Sequence, residues 1–283
     1  MIWGVALAVV VGSIMGLAGA GGSILTVPIL VYVVGVDAVT ATAYSLFVVG
    51  VTSVVGAASY WRNDLVNVRA AVAFSIPSLL VVFCTRRWLV PAIPQQLGTV
   101  AGIEVSKDLF ILVLFAVIMG LSALSMIVRP RYAVAVIGAT AAATRDAPRP
   151  RTAPAVPPPV KVSIPLLALE GAVIGVLTGV VGAGGGFAIV PALAVFARLP
   201  MRVAVGTSLT IIAAKSLFGF LGDVAVESNF DWGLLLAFTA LAVVGILLGT
   251  RLGRLVPGTR LRPAFGWFVL LAAAGILMRE LVL

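Results

Sequence analysis

The chain has no histidine, one cysteine (Cys84) among its 283 residues, and only 10% charged residues. Without histidine, it lacks the commonest proton relay, the commonest metal ligand and the base of a serine–histidine catalytic pair. A single cysteine cannot form an internal disulfide. We therefore expect no cofactor, no metal site and no histidine-dependent catalysis.

The scarcity of charge also excludes a water-soluble domain, because hydrophobic residues make up 61% of the chain and leave too little polar surface. Most of the uncharged runs approach the roughly 20 residues that a spanning helix needs. They fill 1–36, 38–61, 70–85, 109–128, 171–197, 232–250 and 263–278. The net charge of +9 does not indicate nucleic acid, since basic residues lie in short loops, where they orient membrane proteins. We predict an all-α polytopic protein in a lipid bilayer.

A glycine cluster occurs twice within these runs. The first copy reads GSIMGLAGAGGSILTVPIL from Gly12, and the second reads GVLTGVVGAGGGFAIVPAL from Gly175, an offset of 163 residues. The same offset, without a gap, places Ser45 on Ser208. The chain is therefore two related halves, joined by a segment rich in proline, alanine and arginine that we expect to be extended. The predicted units are 1–128, the linker 129–163, and 164–283.

Each half is predicted to contain a glycine-broken stretch followed by three helices. The stretches are 2–35 and 164–197, and the helices are about 38–61, 69–90 and 108–128, then about 202–222, 231–250 and 261–281. If each stretch crossed the membrane once, both sides would hold nine loop Lys or Arg residues; if each returned to its own side, the linker side would hold 14 and the other side four. The positive-inside rule favours the returning arrangement, with a cytoplasmic linker and external termini.

Returning stretches would make the halves inverted repeats, as in many secondary transporters. Charge counting does not separate a re-entrant hairpin from two short spanning helices. The arms, about 17 and 13 residues or roughly 25 and 20 Å long, favour partial insertion.

The inner glycines are the first candidate site residues. In a helix interior each costs about 1 kcal/mol relative to alanine, so the clusters favour turns, whose backbone groups must face protein or a wet cavity at membrane depth. A helix restarting just after each turn would present N–H groups to an anion. The candidates are Gly19, Gly21, Gly22 and Ser23, and Gly182, Gly184, Gly185 and Gly186. The outer glycines are spaced for close helix packing: Gly12, Gly16, Gly171, Gly175 and Gly179.

Four side chains complete the predicted anion site. Ser45 and Ser208 are matched between the halves, and Thr207 precedes Ser208; such hydroxyls either donate to an anion or bond to their own helix carbonyls. Lys215 lies seven residues after Ser208, on the same helix face. A lysine there costs several kcal/mol without a cavity, partner or interface. It either supplies positive charge to an anionic substrate, or reaches the interface or pairs with an acid.

The paired motifs GAGGSILTVP with TAYSL, and GAGGGFAIVP with VGTSL, resemble those of the TauE/SafE family of sulfite and organosulfur anion exporters. The resemblance covers both halves and leaves out only the linker. It implies a cell-membrane permease, not an enzyme, whose substrate is a small inorganic or organosulfur anion such as sulfite or a sulfonate. Lys215 departs from the small or polar residue that the family resemblance leads us to expect there.

Two other functions fit parts of the sequence. A membrane assembly or anchor protein without transport activity would leave the duplicated glycine clusters unexplained. An intramembrane hydrolase would use Ser208 with Lys215 as base, but two helical turns, about 11 Å, separate them. We therefore predict anion export by alternating access around the glycine-broken helices. No feature of the sequence indicates an oligomeric state.

Overall fold

The computed structural model describes residues 8–14, 23–100, 103–128, 164–182, 184–186, 189–190, 193, 197, 199–226, 230–252 and 258–282. Residues 8–14 are helical. The further helices are α1 (Thr26–Ile29, continued by a π-helical turn, Leu30–Val34), α2 (Ala38–Trp61), α3 (Val68–Cys84, continued by a π-helical turn, Thr85–Leu89, and by Val90–Ala92), α4 (Lys107–Val128), α5 (Ile164–Val181), α6 (Met201–Val224), α7 (Trp232–Leu252) and α8 (Gly258–Val282). The predicted linker, 129–163, lies outside the described residues.

The apolar helices confirm the prediction of a helical multi-pass membrane protein. Among the described residues, five helices are long and apolar enough to span a bilayer, namely α2, α3, α4, α6 and α7. Two further apolar helices are shorter, Ser23–Val34 and Pro165–Val181, and both belong to the glycine-broken stretches.

One short segment corrects the prediction that helix is the only element. Strands β1 (Gln96–Val100) and β2 (Ile103–Ser106) pair as an antiparallel hairpin between α3 and α4. The hairpin follows Pro94, which cannot continue a helix, and its second strand contains the β-branched residues that strands prefer. A search for long apolar runs does not detect so short and polar an element.

Polar caps and glycine set several helix ends. The Asp37 side chain accepts a hydrogen bond from the backbone N–H of Thr40 at the start of α2, and Asn67 accepts one from Ala70 at the start of α3. Such caps satisfy N–H groups that have no partner within the helix. The turn after α1 ends at Gly35, whose left-handed φ of 82° suits glycine.

Helices α2 and α6 are matched elements of the two halves, because the 163-residue offset superposes them end to end. They pack antiparallel: a side chain built on Gly50 would lie 2.7 Å from Leu217 Cγ, and one built on Gly206 would lie 2.8 Å from Tyr60 Cβ. Positions late in one helix therefore meet positions early in the other. The matched helices run in opposite directions through the same core.

The outer glycines let the first helix of each half pack against a helix of the other half. A side chain on Gly171 of α5 would lie 2.5 Å from the Phe74 carbonyl oxygen of α3. In the other half, Gly12 lies directly against the Ala242 backbone of α7. Because α3 and α7 occupy corresponding places after the matched helices α2 and α6, each half packs its first helix on the corresponding helix of the other half. The predicted close packing is confirmed for Gly12, Gly171, Gly175 and Gly179, and Gly16 lies outside the described residues.

Polar contacts show which helix ends lie together. Arg86 Nη1, at the end of α3, lies 3.3 Å from Asp223 Oδ1 at the end of α6. Away from this pair, Trp61 Nε1 donates to Thr210 Oγ1 at 2.9 Å, joining the end of α2 to the first half of α6. If each glycine-broken stretch crossed the membrane once, Arg86 and Asp223 would lie on opposite faces. Their contact disagrees with that arrangement.

Gly171→Ala is expected to destabilise the fold, because the added methyl group would overlap the Phe74 carbonyl oxygen. Overpacking costs about 1–3 kcal/mol. The matched control is Gly120→Ala in α4, where nothing lies within 4 Å of an added side chain. Both changes gain similar helix propensity. The difference between their melting temperatures, measured by thermal unfolding of the purified protein in detergent, therefore reports the cost of the overlap at position 171. Equal melting temperatures for the two variants would contradict the packing.

Candidate functional site

The second glycine cluster forms a turn after α5. The helix ends at Val181, and Gly182, Gly184 and Gly185 follow with φ angles of 71°, 65° and 71°. These are left-handed conformations that glycine adopts without the steric cost of a side chain. The chain is helical again at Gly186. All four glycines are buried, so we call Gly182–Gly186 the glycine turn.

Backbone hydrogen bonds flank the glycine turn on both sides. The Gly182 N–H donates to the Thr178 carbonyl at 2.8 Å, and the Ile189 N–H donates to the Gly185 carbonyl at 3.1 Å. The first bond closes the last turn of α5, and the second has the spacing of a new α-helical turn. The three left-handed glycines therefore lie between these two hydrogen bonds.

The glycine turn lies between the matched helices α2 and α6. Gly182 lies against Thr42, and a side chain on Gly184 would lie 2.5 Å from Val49 Cγ1 and 3.5 Å from Ile212 Cγ2. The 163-residue offset superposes Val49 on Ile212. The tip of the second half thus reaches the place where corresponding positions of both halves meet.

Lys215 of α6 points at the glycine turn. The residue is 0% exposed, and its Nζ donates to Thr178 Oγ1 at 2.9 Å. A side chain on Gly185 would lie 2.7 Å from Nζ, so the ammonium occupies space that only glycine leaves open. Within the part of the chain that the structure describes, Lys215 neither reaches a surface nor pairs with an acid.

The ammonium group has more donors than the described residues satisfy. Lys215 Nζ carries three N–H groups, and Thr178 Oγ1 is its hydrogen-bond acceptor among the described residues. The Thr178 hydroxyl itself donates to the Ile174 carbonyl at 2.7 Å. A buried charge is stable only with compensating partners. The remaining N–H groups of Lys215 can donate hydrogen bonds to the oxygen atoms of an anion.

The matched serines differ in their surroundings. Ser208 Oγ donates to the Val205 carbonyl of its own helix at 2.8 Å. Ser45 Oγ is buried and has no hydrogen-bond partner among the described residues. Ser45 lies three residues after Thr42 and four before Val49, on the α2 face that contacts the glycine turn. Of the two hydroxyls, the one on Ser45 is available to a ligand.

The remaining predicted residues lie in three kinds of place. Thr207 Oγ1 accepts a hydrogen bond from the Asn67 N–H at 2.9 Å, at the start of α3 and away from the glycine turn. Ser23 is fully buried and begins the helical segment after the first cluster. Gly19, Gly21 and Gly22 lie outside the described residues.

Sequence reasoning missed two groups of hydroxyl residues. Thr178 accepts the hydrogen bond from Lys215. In the sequence, only its place four positions before the glycine turn could have marked it as a site residue. Ser53 and Ser216 are superposed by the 163-residue offset, and both hydroxyls are buried without a hydrogen-bond partner among the described residues. Extending the repeat comparison past Ser45 and Ser208 would have found this second pair.

The charge count also needs one correction, because it treated Arg86, the partner of Asp223, as a loop residue. Both lie within helical segments, and their side chains are 0% and 9% exposed. The two side chains meet at one common end of helices α3 and α6. Their burial could not be predicted, since it arises from the packing of α3 against α6.

Comparisons with known proteins agree on one family. The sequence model of the family described as "Sulfite exporter TauE/SafE" matches residues 4–276. A "Probable membrane transporter protein" of Xylella fastidiosa (strain 9a5c) is 28% identical over 287 residues, 95% of this chain and 92% of that protein. A protein of the same name from strain Temecula1 is 29% identical over 280 residues, with the same two coverages. The "Probable membrane transporter protein YdhB" of Bacillus subtilis (strain 168) is 30% identical over 110 residues, 39% of this chain and 44% of that protein. No solved structure matches the chain significantly.

Thr178→Val is expected to destabilise the protein by about 1–3 kcal/mol, because it leaves the Lys215 ammonium without its acceptor. Thr239→Val is the matched control. Thr239 Oγ1 is buried and donates to the carbonyl four residues earlier, as Thr178 does, but it receives no hydrogen bond from a lysine. Thermal unfolding in detergent, without added anion, compares the two. An equal loss of stability in both variants would argue against the Lys215–Thr178 contact.

Proposed function

The chain belongs to the sulfite exporter TauE/SafE family, and we propose that it exports small inorganic or organosulfur anions, such as sulfite or a sulfonate, across the cell membrane. The transporter type agrees with the names of its relatives and with its apolar helices. The observation that carries the proposal is the buried Lys215 ammonium beside the glycine turn, with a single hydrogen-bond acceptor among the described residues.

Lys215 supplies the charge that the anion needs. A cation in a membrane interior is costly unless something compensates it, and an incoming anion does so at Nζ. Thr178 holds the ammonium at the glycine turn with a bond of 2.9 Å. The missing side chain of Gly185 leaves the space in which the ammonium lies against the glycine turn.

Ser45 supplies a second group on the facing helix. Its hydroxyl is buried without a partner among the described residues, and its neighbours Thr42 and Val49 on the same face of α2 contact the glycine turn. A sulfite or sulfonate oxygen accepts hydrogen bonds readily. The proposed site thus combines a charge from α6, a hydroxyl from α2 and the glycine turn between them.

The proposed mechanism is alternating access between inverted halves. The antiparallel packing of α2 and α6 and the Arg86–Asp223 ion pair support returning glycine-broken stretches. In such a fold, the first glycine cluster, around Gly19–Gly22, reaches the same centre from the opposite side, and the repeats rock around a fixed binding site.

Membrane potential supplies a driving force for export. A bacterial interior is negative, so each negative charge that leaves gains about 2.3 kcal/mol per 100 mV. With the linker cytoplasmic, as the distribution of basic residues favours, the glycine turn of the second half opens from the cytoplasmic side. The anion then leaves down the potential without a required coupled ion.

Lys215→Ala is expected to lower sulfite flux at least about tenfold, since the loss of a charge-assisted hydrogen bond removes about 1.5–3 kcal/mol of binding. The measurement is sulfite flux in proteoliposomes under nitrogen, with a valinomycin-imposed potassium potential of either sign. Lys215→Arg should retain more flux than Lys215→Ala because it retains the charge.

Thr239→Val serves as the flux control, because Thr239 bonds only within its own helix among the described residues. It should transport sulfite at the unmodified rate. The flux comparison requires that the Lys215 variants insert into the membrane and resist thermal unfolding as well as the unmodified protein does. Unchanged flux in Lys215→Ala would rule out Lys215 as the anion-binding charge.

The inverted arrangement predicts which engineered cysteines share a side. In a Cys84→Ser background, single cysteines replace Asn63, Gln95 and Arg198, and intact cells are treated with an impermeant maleimide. The cysteine at 198 should be protected together with the one at 63, while the one at 95 reacts. If each stretch crossed once, the cysteine at 198 would react together with the one at 95, and the inverted arrangement would be rejected.

A further inference from the structure

A cavity of about 240 Å³ lies at the end of the helices where Arg86 meets Asp223. This far exceeds the roughly 10–15 Å³ that one water requires. Its walls include Arg86, Lys107 and Asp223 together with the apolar side chains of Val90 and Phe230. With two cations and one carboxylate, its lining carries a formal charge of +1.

Arg86 lines this cavity, and one edge of its guanidinium has no hydrogen-bond partner among the described residues. It is 1% exposed, and its Nη1 donates to Thr42 Oγ1 at 2.9 Å and to Asp223 Oδ1 at 3.3 Å. Its Nε and Nη2 are buried and have no hydrogen-bond partner among the described residues. These two nitrogens form one edge of the guanidinium fork, the geometry that holds two oxygens of an oxoanion at once.

We propose that this cavity is a second anion site, in which the Nε–Nη2 edge of Arg86 binds two oxygens of a small oxoanion. Lys107 adds positive charge to the same cavity. Asp223 holds the guanidinium through Nη1 and opposes the incoming anion, which keeps binding weak enough for release. The inference takes the anion class, sulfite or a sulfonate, from the proposed function.

Thr42 connects this cavity with the glycine turn. Its hydroxyl accepts the hydrogen bond from Arg86 and donates to the Val39 carbonyl at 2.7 Å, while its Cβ side lies against Gly182. Thr42 and Val49, the two α2 contacts of the glycine turn, are seven residues or roughly 10 Å apart along the helix. Arg86 thus reaches the glycine turn through Thr42, and Lys215 reaches it directly. In the proposed topology, the Arg86 cavity faces the cell exterior.

The test measures sulfite binding to the purified full-length protein by isothermal titration calorimetry, in a neutral detergent and under nitrogen. A Lys215→Met background removes the inner site, so the remaining binding reports on the Arg86 cavity. Adding Arg86→Lys keeps the charge but removes the two-nitrogen edge, and it should weaken that binding at least about tenfold. Adding Asp223→Asn removes the opposing carboxylate and should tighten it severalfold.

The Asp223→Asn result keeps the inference testable if Arg86→Lys does not fold. Loss of a purely structural ion pair would not tighten anion binding, so unchanged or weaker binding in Asp223→Asn overturns the proposal. Equal binding with and without Arg86→Lys also overturns it. A further arm adds phosphatidylglycerol: if the lipid occupies the cavity and sulfite does not compete, the site binds a lipid headgroup and not the transported anion.

The two proposals fail in different ways. If Lys215→Ala leaves flux unchanged while Arg86→Lys weakens binding, the inner site is wrong and the Arg86 cavity stands. If Lys215→Ala lowers flux while binding in the Lys215→Met background does not depend on Arg86, the reverse holds.

Discussion

The bilayer core contains no water, so every backbone polar group and every charge within it needs a partner inside the protein. The glycine turn depends on this constraint most directly. It interrupts a helix at depth, yet backbone bonds from Gly182 and Ile189 limit the interruption to a few residues. Thr178 contributes twice, through its carbonyl to the turn and through its hydroxyl to Lys215. In the proposed function, the same constraint makes an anion a stabilising partner for the buried ammonium.

Close packing through glycine lets the helices hold these groups in place. Without a hydrophobic driving force between helices in lipid, association depends on tight contacts and internal hydrogen bonds. Gly171 and Gly12 provide such contacts for α5 and for residues 8–14, and Gly50 and Gly206 do so between α2 and α6. The glycines of this chain thus have two different tasks. Those within the helices bring helices together, and those of the glycine turn adopt left-handed conformations after α5.

Much of the fold was predictable, because spanning helices leave long uncharged runs. The predicted range 38–61 matches α2 at both ends, and 202–222 lies within α6. The hairpin of β1 and β2 was missed because it is short and polar. Lys215 was identifiable as a charge among apolar residues, but its acceptor Thr178 was not, since the two lie 37 positions apart. The burial of Arg86 and Asp223 was not predictable for the same reason, because the two residues lie 137 positions apart.

The sequence by itself determined the membrane setting, the two-part repeat, the helix positions and the family. Each of these depends on local composition or on comparison of one stretch with another. Only the tertiary structure decided that the matched helices run antiparallel, that Lys215 reaches the glycine turn, and that the Ser45 hydroxyl, unlike that of Ser208, has no partner among the described residues. The reason is physical: whether a buried polar atom is satisfied depends on atoms brought near it by helix packing, and the same residue type is satisfied in one half and unsatisfied in the other.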